Sequence, residues 1–162
     1  MKKIIFIHGY ESSGQGFKGQ FLKKFFPEIL TPDFKGNLEM RMKKLYKILD
    51  TNNSIWIIIG SSYGGLMGSI YACEYPEKVF KLILLAPFLT SNEMVFEVLE
   101  KNPIDIPVIA FHGKNDMVVN LQKAHVQAKN IFTNLTYNVV DDDHMLRKTM
   151  LDIDWKKLVE NE

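Results

Sequence analysis

The chain has 162 residues, 46% of them apolar and 24% charged, and a formal net charge of +1. That length suits one core rather than several, and the near-neutral charge gives no electrostatic case for a nucleic-acid or membrane partner. The lone cysteine, Cys73, excludes an internal disulfide framework, and no apolar run approaches a membrane span.

Taken in chain order, Ile4 to His8 reads as a first buried strand. Its run Ile4-Ile5-Phe6-Ile7 is too short for a signal-peptide core, so the expected location is cytoplasmic. Phe17, Phe21, Leu22 and Phe25 then form one face of a helix, and residues 28–31 read as a weaker strand. Leu38, Met42, Leu45 and Leu49 make a clearer helical stripe, with Asn37 placed to cap it. Ile55 to Ile59 is a β-branched strand that runs into Gly60-Ser61-Ser62-Tyr63-Gly64. The stripe Leu66, Ile70 and Cys73 follows, and Pro76 helps to end it.

Lys81 to Ala86 is the next strand, and the interval from Pro87 to Pro107 holds about one helix, Ser91 to Lys101. Val108 to His112 and Leu135 to Val140 are the last two strands. Between them Leu121, Ala124, Ala128 and Ile131 share a helix face behind the cap Asn120. Leu151, Trp155 and Leu158 mark a C-terminal helix. Nearly continuous apolar strands alternating with helices predict an α/β fold: a mainly parallel sheet of about six strands, helices on both faces, forming a single domain over residues 1–162. Ligands bind such sheets at the carboxyl ends of the strands.

The strand, the pattern Gly-x-Ser-x-Gly and the helix together read as a nucleophile elbow, a turn that projects the Oγ of Ser62 above the sheet. Neighbouring backbones pass so close that only small residues fit at positions 60 and 64. The alternative is a glycine-rich turn with an idle serine. A serine hydroxyl needs a base to accept its proton, usually a histidine oriented by a carboxylate. Of the four histidines, His8 and His112 each precede a glycine and suit turn-shaping roles, and His125 lies on a helix. His144 follows the last strand on the edge where the elbow emerges, and is the expected base.

The acid should follow the strand between elbow and histidine, which favours Asp116 over Asp105, Asp141, Asp142 and Asp143. A turn-forming Asn115-Asp116 pair is its alternative reading. The backbone N–H groups of Tyr63, after the nucleophile, and Tyr10, in the loop after the first strand, are the candidate oxyanion donors.

With these residues in place the chain resembles the α/β-hydrolase superfamily, and most of all its small bacterial serine esterases without a cap domain. Ser62, Asp116 and His144 stand in the family's order of nucleophile, acid and base. His8-Gly9-Tyr10 is similar to its oxyanion loop, and Tyr75-Pro76-Glu77-Lys78-Val79 with Leu82 to Pro87 is similar to the segment after its elbow helix. The family's usual leading antiparallel strands have no counterpart before residue 3, and its lid shrinks to a short helical insertion at about 88–103.

The expected activity is hydrolysis of a small-molecule carboxylic ester or thioester through an acyl-enzyme on Ser62, with no cofactor or metal. Acyl transfer or carbon–carbon hydrolysis with the same triad, or a non-catalytic binding role, are the alternatives. Phe88, Met94, Phe96, Met117 and Val118 are candidates to line an acyl pocket, and core packing explains each of them equally well.

Overall fold

The computed structural model describes residues 2–50, 54–90 and 93–160, excepting the side chains of residues 93 and 94. Five strands, β1 (Lys2–Ile7), β2 (Ile55–Ser61), β3 (Val79–Leu85), β4 (Val108–Gly113) and β5 (Leu135–Val140), lie side by side in that order. All four pairings are parallel, from Lys2 beside Ile55 at one edge to Gly113 beside Val140 at the other. The β-branched run at 55–59 and the apolar run at 79–85 become inner strands because both of their faces are covered.

Alternation along the strands splits the core in two. Ile5, Ile7, Ile58, Leu82 and Leu84 face one layer, built by α2 (Leu38–Leu49), α3 (Tyr63–Glu74), α4 (Glu93–Glu100) and α5 (Leu121–Ile131). Phe6, Ile57, Ile59, Ile83 and Leu85 face the other, built by α1 (Phe17–Phe25), α6 (Arg147–Asp152) and α7 (Trp155–Glu160). Right-handed crossovers account for this division. From β1 the chain steps outward through α1, then returns over the opposite face through α2 to β2. That reversal opens a crevice at the carboxyl ends of β1 and β2, the expected place for a ligand.

Two expectations need correction. Residues 28–31 form no full strand: Leu30 alone bridges Ile5 in parallel, with Phe6 N–H donating to its carbonyl at 2.8 Å. Pro27 and Pro32 on either side lack N–H donors, which keeps this edge pairing to a single residue. The C-terminal helix is two short helices broken at Ile153-Asp154, and Leu151 points to solvent at 69% exposure. The buried stripe there is Leu146, Met150, Trp155 and Val159.

The two asparagine caps stand where their spacing places them. Asn37 Oδ1 accepts from Met40 N–H, and Asn120 Oδ1 accepts from Lys123 N–H. Helix α3 is buried at every position from Gly64 to Ala72, so it is covered all round rather than amphipathic.

Candidate active site

Strand β2 hands over to helix α3 at Ser62, whose φ of 53° and ψ of −114° lie outside the regions an L-residue prefers. Such a conformation costs about 1–3 kcal/mol and persists only where the surroundings impose it. Here Ser62 N–H donates to Leu85 O at 2.9 Å, and Ser62 O accepts from the N–H groups of Gly65 and Phe88, each at 2.9 Å. A side chain at position 60 would meet Gly64 O at 2.6 Å, and one at 64 would collide with Ile7 O and lie 2.7 Å from His8 O. Glycine at both places lets the elbow close against β1.

The loops after β4 and β5 bring the other polar groups to the same edge. His144 Nε2 stands 3.2 Å from Ser62 Oγ, and His144 Nδ1 stands 2.7 Å from Asp116 Oδ2. A carboxylate facing Nδ1 holds the imidazole proton there and leaves Nε2 free to accept the serine proton. The other oxygen, Asp116 Oδ1, accepts from Val118 and Val119 N–H, each at 2.8 Å. Burial favours the neutral acid, but the Val119 amide, the His144 ring and the Val118 amide outweigh it and keep the carboxyl below its ordinary value.

The competing aspartates are engaged elsewhere. Asp141 pairs with Lys114 at 3.0 Å on the surface, Asp142 Oδ2 accepts from Thr149 N–H and Oγ1, and Asp143 Oδ1 accepts from Met145 N–H. Asp105 accepts from Thr133 Oγ1 at 2.8 Å.

His112 does more than shape a turn. Its fully buried ring sets Nε2 3.0 Å from Asp116 Oδ2 and 3.2 Å from Val119 O, while Nδ1 lies 2.7 Å from Tyr137 Oη. Two acceptors at Nε2 place the proton on that nitrogen, so Tyr137 donates to Nδ1. Burial lowers the pKa of His112 and favours this neutral ring. His8, also buried, accepts from Phe34 N–H at Nε2 and directs Nδ1–H to Gly9 O at 2.7 Å, fixing the loop after β1. His125 stacks on Tyr137 with ring centroids 4.2 Å apart.

The backbone N–H groups of Tyr10 and Tyr63 have no hydrogen-bond partner among the described residues. The two rings meet edge to face at 5.2 Å, and the buried Arg41 guanidinium lies 4.6 Å from one and 5.5 Å from the other. Arg41 Nη2 donates to Tyr10 O at 3.0 Å and Nε to Gly36 O at 2.8 Å, tying α2 to the loop that carries Tyr10. Nothing in the spacing of α2 marked this role.

A cleft of about 710 Å³ opens above Ser62 and His144, with Tyr10, Phe17, Tyr63, Phe88, Val118 and Met145 as its apolar walls. Phe88 and Val118 thus stand where the sequence put them. Phe96 does not: at 3% exposure it packs in the core beneath α4. Met117 is 95% exposed and lines no part of the cleft, and the side chain of Met94 lies outside the described residues. None of the described side chains of α4 reaches the cleft. A second depression of about 640 Å³, beside Lys81, Phe111 and Asp152, contains no serine or histidine. Among the described residues no group of three acidic, histidine or cysteine side chains is placed to hold a metal, and no helix is long and apolar enough to cross a membrane.

A parallel sheet between two helical layers, with a serine on a strand-to-helix elbow, defines a small α/β hydrolase. Residues 31–158 match the Phospholipase/Carboxylesterase family, and the chain belongs to that family of hydrolases. Among solved structures, alpha/beta hydrolase domain-containing protein 10 from mouse is 21% identical, with a TM-score of 0.75 over 98% of this chain and 89% of its own. Est1E from Butyrivibrio proteoclasticus, bound to ferulic acid, is 14% identical, with a TM-score of 0.78 over 98% of this chain and 88% of its own. The Pyrococcus furiosus esterase Pf2001 is 18% identical, with a TM-score of 0.72 over 98% and 80%. At these identities the likeness is one of fold. A mouse "Serine hydrolase-like protein" is 36% identical over 66 residues, which span 39% of this chain and 21% of that protein.

Proposed function

We propose that this protein hydrolyses small-molecule carboxylic esters or thioesters through an acyl-enzyme on Ser62. The observation that carries the reading is the continuous line from Ser62 Oγ to His144 Nε2 at 3.2 Å and from His144 Nδ1 to Asp116 Oδ2 at 2.7 Å. Membership of the Phospholipase/Carboxylesterase family supports it.

In this mechanism Ser62 Oγ attacks the acyl carbon while its proton passes to His144 Nε2. Asp116 holds the ring and stabilises the imidazolium that forms. The carbonyl oxygen gains negative charge and turns toward the Tyr10 and Tyr63 amides, donors worth about 10²–10³-fold in rate each. His144 then protonates the departing alkoxide or thiolate, which leaves Ser62 acylated. Water enters the vacated place, loses a proton to His144 and attacks the acyl carbon. The second tetrahedral intermediate expels Ser62 Oγ, which recovers the proton, and the carboxylic acid leaves.

The deciding experiment is labelling by a fluorescent fluorophosphonate, with circular dichroism to confirm folding. Wild type is expected to label, and Ser62→Ala and His144→Ala are not. Para-nitrophenyl esters and acyl thioesters of rising chain length then define the turnover. A folded wild type that neither labels nor cleaves any of them would overturn the proposal.

A further inference from the structure

Among the described residues three lysine or arginine side chains are buried, and two of them donate to backbone carbonyls, although Arg41 Nη1 is left without a partner. Arg41 donates to two carbonyls, as described, and Lys81 Nζ donates to Leu158 O at 2.9 Å. The third, Lys18, is 9% exposed and makes no hydrogen bond or ion pair among the described residues. It is the second residue of α1, and its side chain lines the cleft that holds Ser62 and His144. Its stem is buried while Nζ keeps contact with the solvent of the cleft, so the ammonium faces the space above Ser62 with no protein acceptor.

The charges around Lys18 leave it available. Arg147, at the start of α6, repels it, and Asp142 and Asp143 attract it without reaching bonding distance. Both carboxylates are already committed to Thr149, Asp143 and Met145 amides. Glu11 also borders the cleft but is turned to solvent. The first turn of α1 adds to the positive field: Gly16 supplies no side-chain cap, and the turn contains no acidic residue. The wall of the cleft that Lys18 forms therefore holds a cation with no paired anion.

We propose that Lys18 binds a carboxylate of the substrate, so that the protein prefers esters or thioesters carrying an anionic group close to the scissile bond. The inference rests on the cleft being the active site proposed above. An ammonium–carboxylate contact at this wall of the cleft would both anchor the substrate and orient its carbonyl over Ser62. The anion can belong to the acyl group or to the leaving group, and substrates distinguish the two.

The first readout requires no turnover. Monomethyl glutarate and methyl butyrate are titrated by NMR into folded Ser62→Ala protein, with Lys18 intact and with Lys18→Met added. The expected result is saturable binding of the anion, about tenfold tighter than the neutral ester, and loss of that preference without Lys18. Equal binding of the two ligands overturns the proposal without any variant at 18. So does an anion preference that survives Lys18→Met, or Lys18→Gln should the first not fold.

The second readout is kcat/KM for the para-nitrophenyl monoester of succinate, the butyrate ester of para-hydroxybenzoate and neutral para-nitrophenyl butyrate. Lys18→Met should lower the anionic-to-neutral ratio about tenfold for one of the two anions. The affected ester reveals which side of the scissile bond faces Lys18, and unchanged ratios overturn the proposal. Anion-selective binding in a wild type that resists fluorophosphonate and cleaves none of these esters would refute the Ser62 reading while leaving Lys18 in its role.

Discussion

Asp116 shows how much of the site is decided at single atoms. Four donors converge on its two oxygens: the Val118 and Val119 amides, His144 Nδ1 and His112 Nε2. Replacing it with asparagine keeps the volume but sets an N–H₂ group against donors on one side, either the two rings that share Oδ2 or the two valine amides that share Oδ1. His144 is then free to adopt the tautomer that cannot accept a proton from Ser62. Asp116→Asn should lower kcat by about 10³–10⁴-fold in a protein that still folds. Steady-state kinetics beside circular dichroism reads this directly, and a kcat within about tenfold of wild type would remove Asp116 from the mechanism. Ser62 and His144 were legible from the elbow pattern and strand order. Lys18, Arg41 and His112 were not, because a basic residue or histidine beside apolar neighbours reads as surface or turn until burial is known.

Secondary structure explains that gap. The stripe Phe17, Phe21, Leu22 and Phe25 predicted the existence of α1 but set its buried face about one residue off. The sheet-facing residues are Lys18, Gly19 and Leu22, and Phe17 is 39% exposed. The close pass of Gly19 against Gly14 O and Phe6 turns α1 so that Lys18 points inward. Runs with no competing signal, such as Leu135 to Val140, were legible to the residue. The break at Ile153-Asp154 was not, since Leu151, Trp155 and Leu158 keep helical spacing across it.

The tightest joint between elements is Gly64, where α3 passes over the end of β1. A methyl group there meets the backbone oxygens of Ile7 and His8, neither of which can rotate away. Gly64→Ala should therefore push the elbow off β1, lower the urea midpoint and abolish fluorophosphonate labelling together. Retention of full labelling at wild-type stability would show that the elbow tolerates a looser seat.

Across the whole molecule, burial of ionisable groups at the carboxyl edge makes stability depend on pH in two windows. Burial lowers the pKa of His8 and His112, so both rings take up protons at lower pH than in the unfolded chain, where histidine titrates near pH 6.5. The unfolded state then holds more protons, so stability rises with pH and is lost on acidification, at a limiting slope of about 1.4 kcal/mol per pH unit for each histidine. Urea unfolding at pH 7.5 and 5.5 should show the lower midpoint in acid.

Lys18 governs the alkaline window with the same sign. Burial, with Arg147 adding to it, lowers this amine from 10.5 to about 8, against the pull of Asp143 and Asp142. Between those values the folded protein has released a proton that the unfolded chain keeps, so stability rises with pH there. At pH 7 the charged lysine therefore destabilises the folded protein relative to a neutral side chain of similar length. Lys18→Met should therefore be more stable than wild type at pH 7, and the difference should shrink between pH 8 and 9.5. Comparing the variant with wild type cancels the tyrosines and the remaining lysines, which titrate alike in both. A constant difference over that window would mean that Lys18 holds its proton and finds a partner in solution. A shrinking difference identifies stability surrendered at the cleft wall where a substrate anion would restore it.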